Sequence, residues 1–122
     1  MLMIFWLRLI DIFFRYGIVI GQEEFEMSNK TYISGPISDM PDGNIKAFKE
    51  VANILLAQGI ECVNPHCLRH DHDKSWSSYM RVDIKALMDC YRIIMLPGWE
   101  KSRGAKIERD LALDLGMTVT YF

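Results

Sequence analysis

Few features of this sequence are one-sided. Among 122 residues there are three cysteines and four prolines, and fourteen basic residues face sixteen acidic ones for a formal net charge of -2. Without a positive excess there is no field to hold a phosphate polymer, which argues against a nucleic-acid-coating protein. Cys62, Cys67 and Cys90 are odd in number and form no framework spacing, which argues against a disulfide-stapled secreted domain and for a reducing, cytoplasmic setting. There is no internal repeat and no low-complexity tract. Half the residues are hydrophobic and a quarter are charged, the composition of a folded globule with one core.

The averages hide a seam at Met27. Residues 1–26 carry six of the fourteen aromatics (Phe5, Trp6, Phe13, Phe14, Tyr16, Phe25), whereas the chain from Met27 onward has twelve basic and twelve acidic residues. Arg8, Asp11 and Arg15 interrupt the leader, which disfavours a membrane span. The leader also lacks the early basic charge and small-residue cleavage site of a secretory signal. The same three charges share one face at helical spacing, as on an amphipathic surface helix. Gln22-Glu23-Glu24 is naturally encoded by a purine-rich string resembling a ribosome-binding site, a few codons before Met27. The leader therefore reads as an over-extended start or as a loosely attached helix, and residues 27–122 as the domain.

From Lys30 the periodicities alternate strand and helix. Thr31-Tyr32-Ile33 is a β-prone run stopped by Gly35-Pro36. Asn44 is placed to cap a helix in which Ile45, Phe48, Ala52, Leu55 and Leu56 recur at helical spacing, stopped by Gly59. Ile60–Val63 reads as the second strand. Trp76, Tyr79, Met80, Ile84, Leu87 and Met88 mark a second helix, and the unbroken apolar run from Ile93 to Leu96 suits a strand covered on both faces. Residues 103–115 form a third helix with Ile107, Leu111 and Leu115 inward, followed by a last strand from Val119 to Phe122. This order predicts a flavodoxin-like, Rossmann-like three-layer α/β sandwich with a parallel sheet of about four strands, its ligands at the carboxyl ends of the strands.

That rule singles out the loops 34–44, 64–75 and 97–104. In the third, Gly98, Ser102 and Gly104 leave the backbone open to a ligand, and the next helix aims its amide groups at the same place, an anion site in outline. Glu108 follows Gly104 by four residues and returns to the loop's face, where its carboxylate can act as nucleophile or base, or merely sit against the helix dipole.

Three blocks carry a family resemblance: Tyr32-Ile33-Ser34-Gly35-Pro36-Ile37, Asp83-Ile84-Lys85-Ala86-Leu87 and Ser102-Arg103-Gly104-Ala105-Lys106-Ile107-Glu108. Together they resemble the nucleoside 2-deoxyribosyltransferase-like superfamily, and within it a small uncharacterised branch often borne by phages or prophages. The resemblance spans Lys30 to Phe122. It implies cleavage of an N-glycosidic bond in a nucleoside or nucleotide, by transfer or hydrolysis, without a cofactor. The matching positions imply Glu108 as nucleophile, Tyr32 as the residue that orients it, Asp83 as acid or base-assisting group, and Ser102 as a binder of the 5'-phosphate. Relatives usually carry Asp where this chain has Tyr91, and the transferases have longer C-terminal segments that reach a neighbouring subunit.

The chemistry suits these residue types. The transition state is oxocarbenium-like, so one ionised carboxylate stabilises the sugar while a second, protonated one releases the base. Ser34, Gly35, Pro36 and Ile37, with Gly98, Ser102 and Gly104, are the expected phosphate and sugar contacts. Trp99 is expected to stack on a base or sugar, the alternative being that it covers the sheet edge. His66 is a candidate pocket residue. His66, His70, His72, Asp71, Asp73, Cys62 and Cys67 match no zinc spacing, so no metal is expected. A homodimer or larger assembly is expected from the apolar second helix. The alternative to an enzyme is a non-catalytic nucleotide-binding module, a sensor or sponge, which needs only the two phosphate loops.

Overall fold

A computed structural model describes residues 29–122; the leader and its readings lie outside the described residues. Four strands, β1 (Thr31–Ser34), β2 (Cys62–Val63), β3 (Arg92–Met95) and β4 (Thr118–Tyr121), alternate with three α-helices, α1 (Ile45–Ala57), α2 (Trp76–Leu87) and α3 (Arg103–Asp114). All neighbouring strands pair in parallel, in the order β2-β1-β3-β4. The expected α/β sandwich is the fold. The chain winds outward from β1 to β2 in one direction and from β3 to β4 in the other. The switch point therefore lies between β1 and β3, where ligands of such sheets bind.

Period-two alternation distributes β1 between two cores. Ile33 packs with Phe48, Val51, Leu55 and Leu96 on the α1 side. Tyr32 joins Leu87, Cys90, Ile93, Met95, Ala105 and Ala112 on the side of α2 and α3. Burial on both faces explains why β1 carries no exposed residue, whereas β4, at the sheet edge, is mostly exposed. The close contact at the end of β1 depends on Gly35. A Cβ there would lie 2.7 Å from the Leu96 Cβ, so only glycine lets the loop after β1 run tightly beside the end of β3.

Several inward positions differ from the sequence expectation. On α1 the buried residues are Phe48, Val51 and Leu55, while Ile45 and Leu56 are exposed. On α3 the buried stripe is Ala105, Glu108 and Ala112, and Ile107 and Leu115 face outward. Small side chains let α3 approach the sheet closely, and that requirement outweighs burial of its larger apolar residues. Tyr79 on α2 and Met88 just beyond its end are likewise exposed.

Asn44 does not cap α1. It sits in the left-handed region (φ 63) and its amide donates to the Pro36 carbonyl at 3.1 Å, tying the loop after β1 back to the strand end. Ser75 and Ser102 cap α2 and α3, each accepting from a backbone amide three residues on. Among the described residues no helix is long and apolar enough to cross a membrane.

Candidate active site

A cavity of about 950 Å³ opens at the carboxyl ends of β1 and β3. Tyr32, the loop 35–40, Asp83, Glu108 and the turn from Pro97 to Gly104 all contribute to its wall. Three separate sequence blocks therefore converge at the switch point.

Glu108 is 5% exposed and gripped on both oxygens: the Tyr32 hydroxyl donates to Oε2 at 2.8 Å, and the Ser34 hydroxyl donates to Oε1 at 2.6 Å. The grip follows from local geometry. Tyr32 and Ser34 are two apart on β1, so both side chains leave the same face of the sheet, the face on which α3 lays its buried stripe. Burial pushes the Glu108 carboxyl up to about 7, against the two hydroxyl bonds that favour its ionised form. Burial also raises the Tyr32 phenol well above its ordinary value, with the Glu108 carboxylate adding to the effect, so the phenol remains a donor at working pH.

Asp83, on α2, is 7% exposed and lines the same cavity. Burial raises its carboxyl to about 6, although the facing His70 ring pulls it down. Among the described residues nothing hydrogen-bonds its Oδ1, which is buried. Two acids with raised proton affinity thus share one cavity, and the Asp83 charge adds to the rise at Glu108.

Basic side chains line the same cavity. Lys74, Lys101 and Arg103 line it, and the Arg103 guanidinium lies 3.8 Å above the Trp76 ring. Ser102 lines it too, its oxygen accepting the Ala105 amide at 3.2 Å, which leaves the hydroxyl hydrogen to donate to a ligand. Gly104 has Met80 Sδ within 3.0 Å of where a Cβ would stand, so its smallness serves the packing of α3 on α2 as well as the open turn.

Gly35, Pro36, Ile37, Gly98, Ser102 and Gly104 line the cavity with Tyr32, Asp83 and Glu108. Two expectations change. Ser34 does not line it; at 1% exposure its hydroxyl is committed to Glu108, so its role is to hold the carboxylate. Trp99 packs against Tyr121 with centroids 5.7 Å apart and lies under Arg109, covering the edge strand instead of the cavity. The short helical turn Trp99–Lys101 after Gly98 carries its ring toward β4. The indole that does line the cavity is Trp76, which the sequence offered only as part of an apolar helix face.

His66 meets its expectation as a wall residue, with Nε2 donating to the Gly43 carbonyl at 2.8 Å and the ring edge-on to Phe48. His70 and His72, grouped in the sequence with candidate metal ligands, bond to one another beside Asp83. Their alternation with Asp71 and Asp73 gave no sign of that arrangement, because it depends on how the loop turns back.

No curated protein matches the chain. A family model matches residues 29–121, a span that takes in the four strands, the three helices and every residue of the site among the described residues. On that match the chain belongs to the family described as Domain of unknown function (DUF4406).

Proposed function

We propose that this domain cleaves the N-glycosidic bond of a nucleoside or nucleotide, with Glu108 as nucleophile and Asp83 as acid. One observation carries the reading: a buried carboxylate, held on both oxygens by Tyr32 and Ser34, shares a ligand-sized cavity with a second buried carboxyl and with three basic side chains. Glu108 attacks the anomeric carbon as the bond to the base breaks. The bonding pair leaves with the base nitrogen, which takes the proton of Asp83. Water or a second base then resolves the glycosyl ester. Desolvation makes Glu108 a stronger nucleophile once ionised, and the two hydroxyls keep it aimed.

The basic lining supports a phosphorylated substrate. Lys74, Lys101, Arg103, the Ser102 hydroxyl and the amides opening α3 form a suitable anion seat. A homo-oligomer and a cytoplasmic setting belong to the same reading; Leu113, Leu115, Tyr121 and Phe122 provide exposed apolar surface for the former.

The test is incubation of the full chain with a panel of nucleosides and monophosphates, following free base by chromatography. Glu108→Gln keeps the shape and removes the charge, so base release is expected to fall by several orders of magnitude while binding survives. Ser102→Ala is expected to weaken monophosphate binding by roughly 1–3 kcal/mol and leave nucleosides nearly unaffected. Tight binding of a monophosphate by wild type with no base released would make the domain a nucleotide-binding module instead.

A further inference from the structure

The loop between β2 and α2 contains Arg69-His70-Asp71-His72-Asp73-Lys74, and its two histidines form a chain that ends at Asp83. Lys74 adopts a left-handed backbone (φ 66), and its amide donates to the His72 Nδ1 at 3.0 Å. A backbone amide can only donate, so this bond decides the tautomer: His72 Nδ1 accepts, and the ring hydrogen is on Nε2. His72 Nε2 lies 3.0 Å from His70 Nδ1, which therefore accepts in turn. The hydrogen of His70 is left on Nε2, which faces Asp83 Oδ1 at 3.7 Å and the Pro65 carbonyl at 3.4 Å. Tyr79 packs against both rings at centroid distances of 4.7 and 4.6 Å, and Lys74 Nζ donates to the His70 carbonyl.

Asp83 presents the complementary half. Its Oδ1 is buried and, among the described residues, without a hydrogen-bond partner, while the side chain lines the cavity. An unpaired buried oxygen is costly, and the His70 N–H is one short side-chain shift away. Catalytic hydrogen bonds are commonly this long before substrate tightens the site.

The geometry points to His70 as the positioning residue of the acid: its Nε2–H, oriented by His72 and the Lys74 amide, bonds Asp83 Oδ1 in the reacting complex, so that Oδ2 carries the proton given to the departing base. The catalytic consequence rests on the glycosidase reading; the orientation of the histidines does not. As the glycosidic pair arrives on the base nitrogen, the proton leaves Oδ2 and Asp83 becomes a carboxylate. The N–H to Oδ1 bond is then charge-assisted and stabilises the charge formed. The water that resolves the Glu108 ester returns a proton to Asp83. His70 keeps its own hydrogen throughout.

Three readouts on the full chain test this. Nitrogen NMR of the histidine rings is expected to find both His70 and His72 with hydrogen on Nε2; hydrogen on Nδ1 of His70 overturns the proposal, with or without substrate. Titration of the Asp83 carboxyl by carbon NMR comes next. The titratable groups facing it are His70 from the loop, Glu108 from α3 and Tyr32 from β1. His70→Ala removes a donor that favours the carboxylate, so the Asp83 midpoint is expected to rise; an unmoved midpoint overturns the proposal. In kinetics, His70→Ala is expected to lower kcat for base release about ten- to a hundredfold with KM little changed. It should scarcely affect a nitrophenyl glycoside of deoxyribose 5-phosphate, whose leaving group needs no proton. His70→Gln, which retains an amide N–H, should recover part of the loss. Equal losses on both substrates mean that His70 is only structural. If wild type releases no base at all, the glycosidase reading fails by itself, and the two NMR readouts still decide the role of His70.

Discussion

Glu108 and Asp83 are both acids pushed upward by burial, yet the proposed reaction needs them in opposite states. Glu108 must be ionised, which is favoured above about 7, and Asp83 must be protonated, which is favoured below about 6. The productive form is then a minor species, most abundant between the two values. The pair titrates together, so the apparent values belong to both groups. A plot of kcat/KM against pH is expected to be bell-shaped with its maximum at about pH 6.5. Asp83→Asn should remove the alkaline limb and lower the remaining rate by about 10²–10⁴-fold, the usual contribution of a general acid. A flat profile in wild type would exclude this division of roles.

At the scale of elements, the site depends on how closely β1, β3 and α3 approach one another. Tyr32 and Ser34 reach both oxygens of Glu108 only because α3 presents Ala105 and Ala112 to the sheet on either side of it. The end of β1 relies in the same way on Gly35 beside Leu96. Gly35→Ala forces a methyl group into the Leu96 side chain, which is 1% exposed and cannot move outward. Denaturant unfolding is expected to register a loss of about 1–3 kcal/mol, the cost of overpacking a filled core. Because the displaced strand end carries Ser34, kcat should fall beyond what the lost stability explains.

For the whole molecule, burying two acids makes stability depend on pH. The folded state holds the Glu108 proton up to about 7 against an ordinary 4.5, and the Asp83 proton up to about 6 against 3.8. Folded values above unfolded ones mean a stabilising contribution that is complete below about pH 4 and lost as the pH rises through 6 and 7. For Glu108 the loss is roughly 3 kcal/mol at about 1.4 kcal/mol per unit, a large part of a small domain's stability. Asp73 has the opposite sign: its bonds from Ser75 and Ser78 hold it at about 2, so its contribution fades only in stronger acid. Melting temperature is therefore expected to fall between about pH 4 and about pH 7, and Glu108→Gln should remove about half of that fall, Asp83 supplying the rest.

The order of strands and helices was legible in the residues themselves, because local pattern decides it: Gly35-Pro36, Asn64-Pro65 and Pro97-Gly98 interrupt the chain where β1, β2 and β3 end. Glu108 was legible as a candidate from its place four residues after Gly104, whereas Tyr32 and Asp83 were legible only through the family resemblance of their blocks. Which face of a helix turns inward was less so. Large apolar residues put Ile107 and Leu115 inside, whereas packing distance put Ala105, Glu108 and Ala112 there. Ser34 as a holder of Glu108, Trp76 rather than Trp99 at the cavity, and the histidine chain to Asp83 were decided only by tertiary structure. Each is a contact between residues distant in sequence or turned by a loop's backbone, and hydrophobic period carries no information about either.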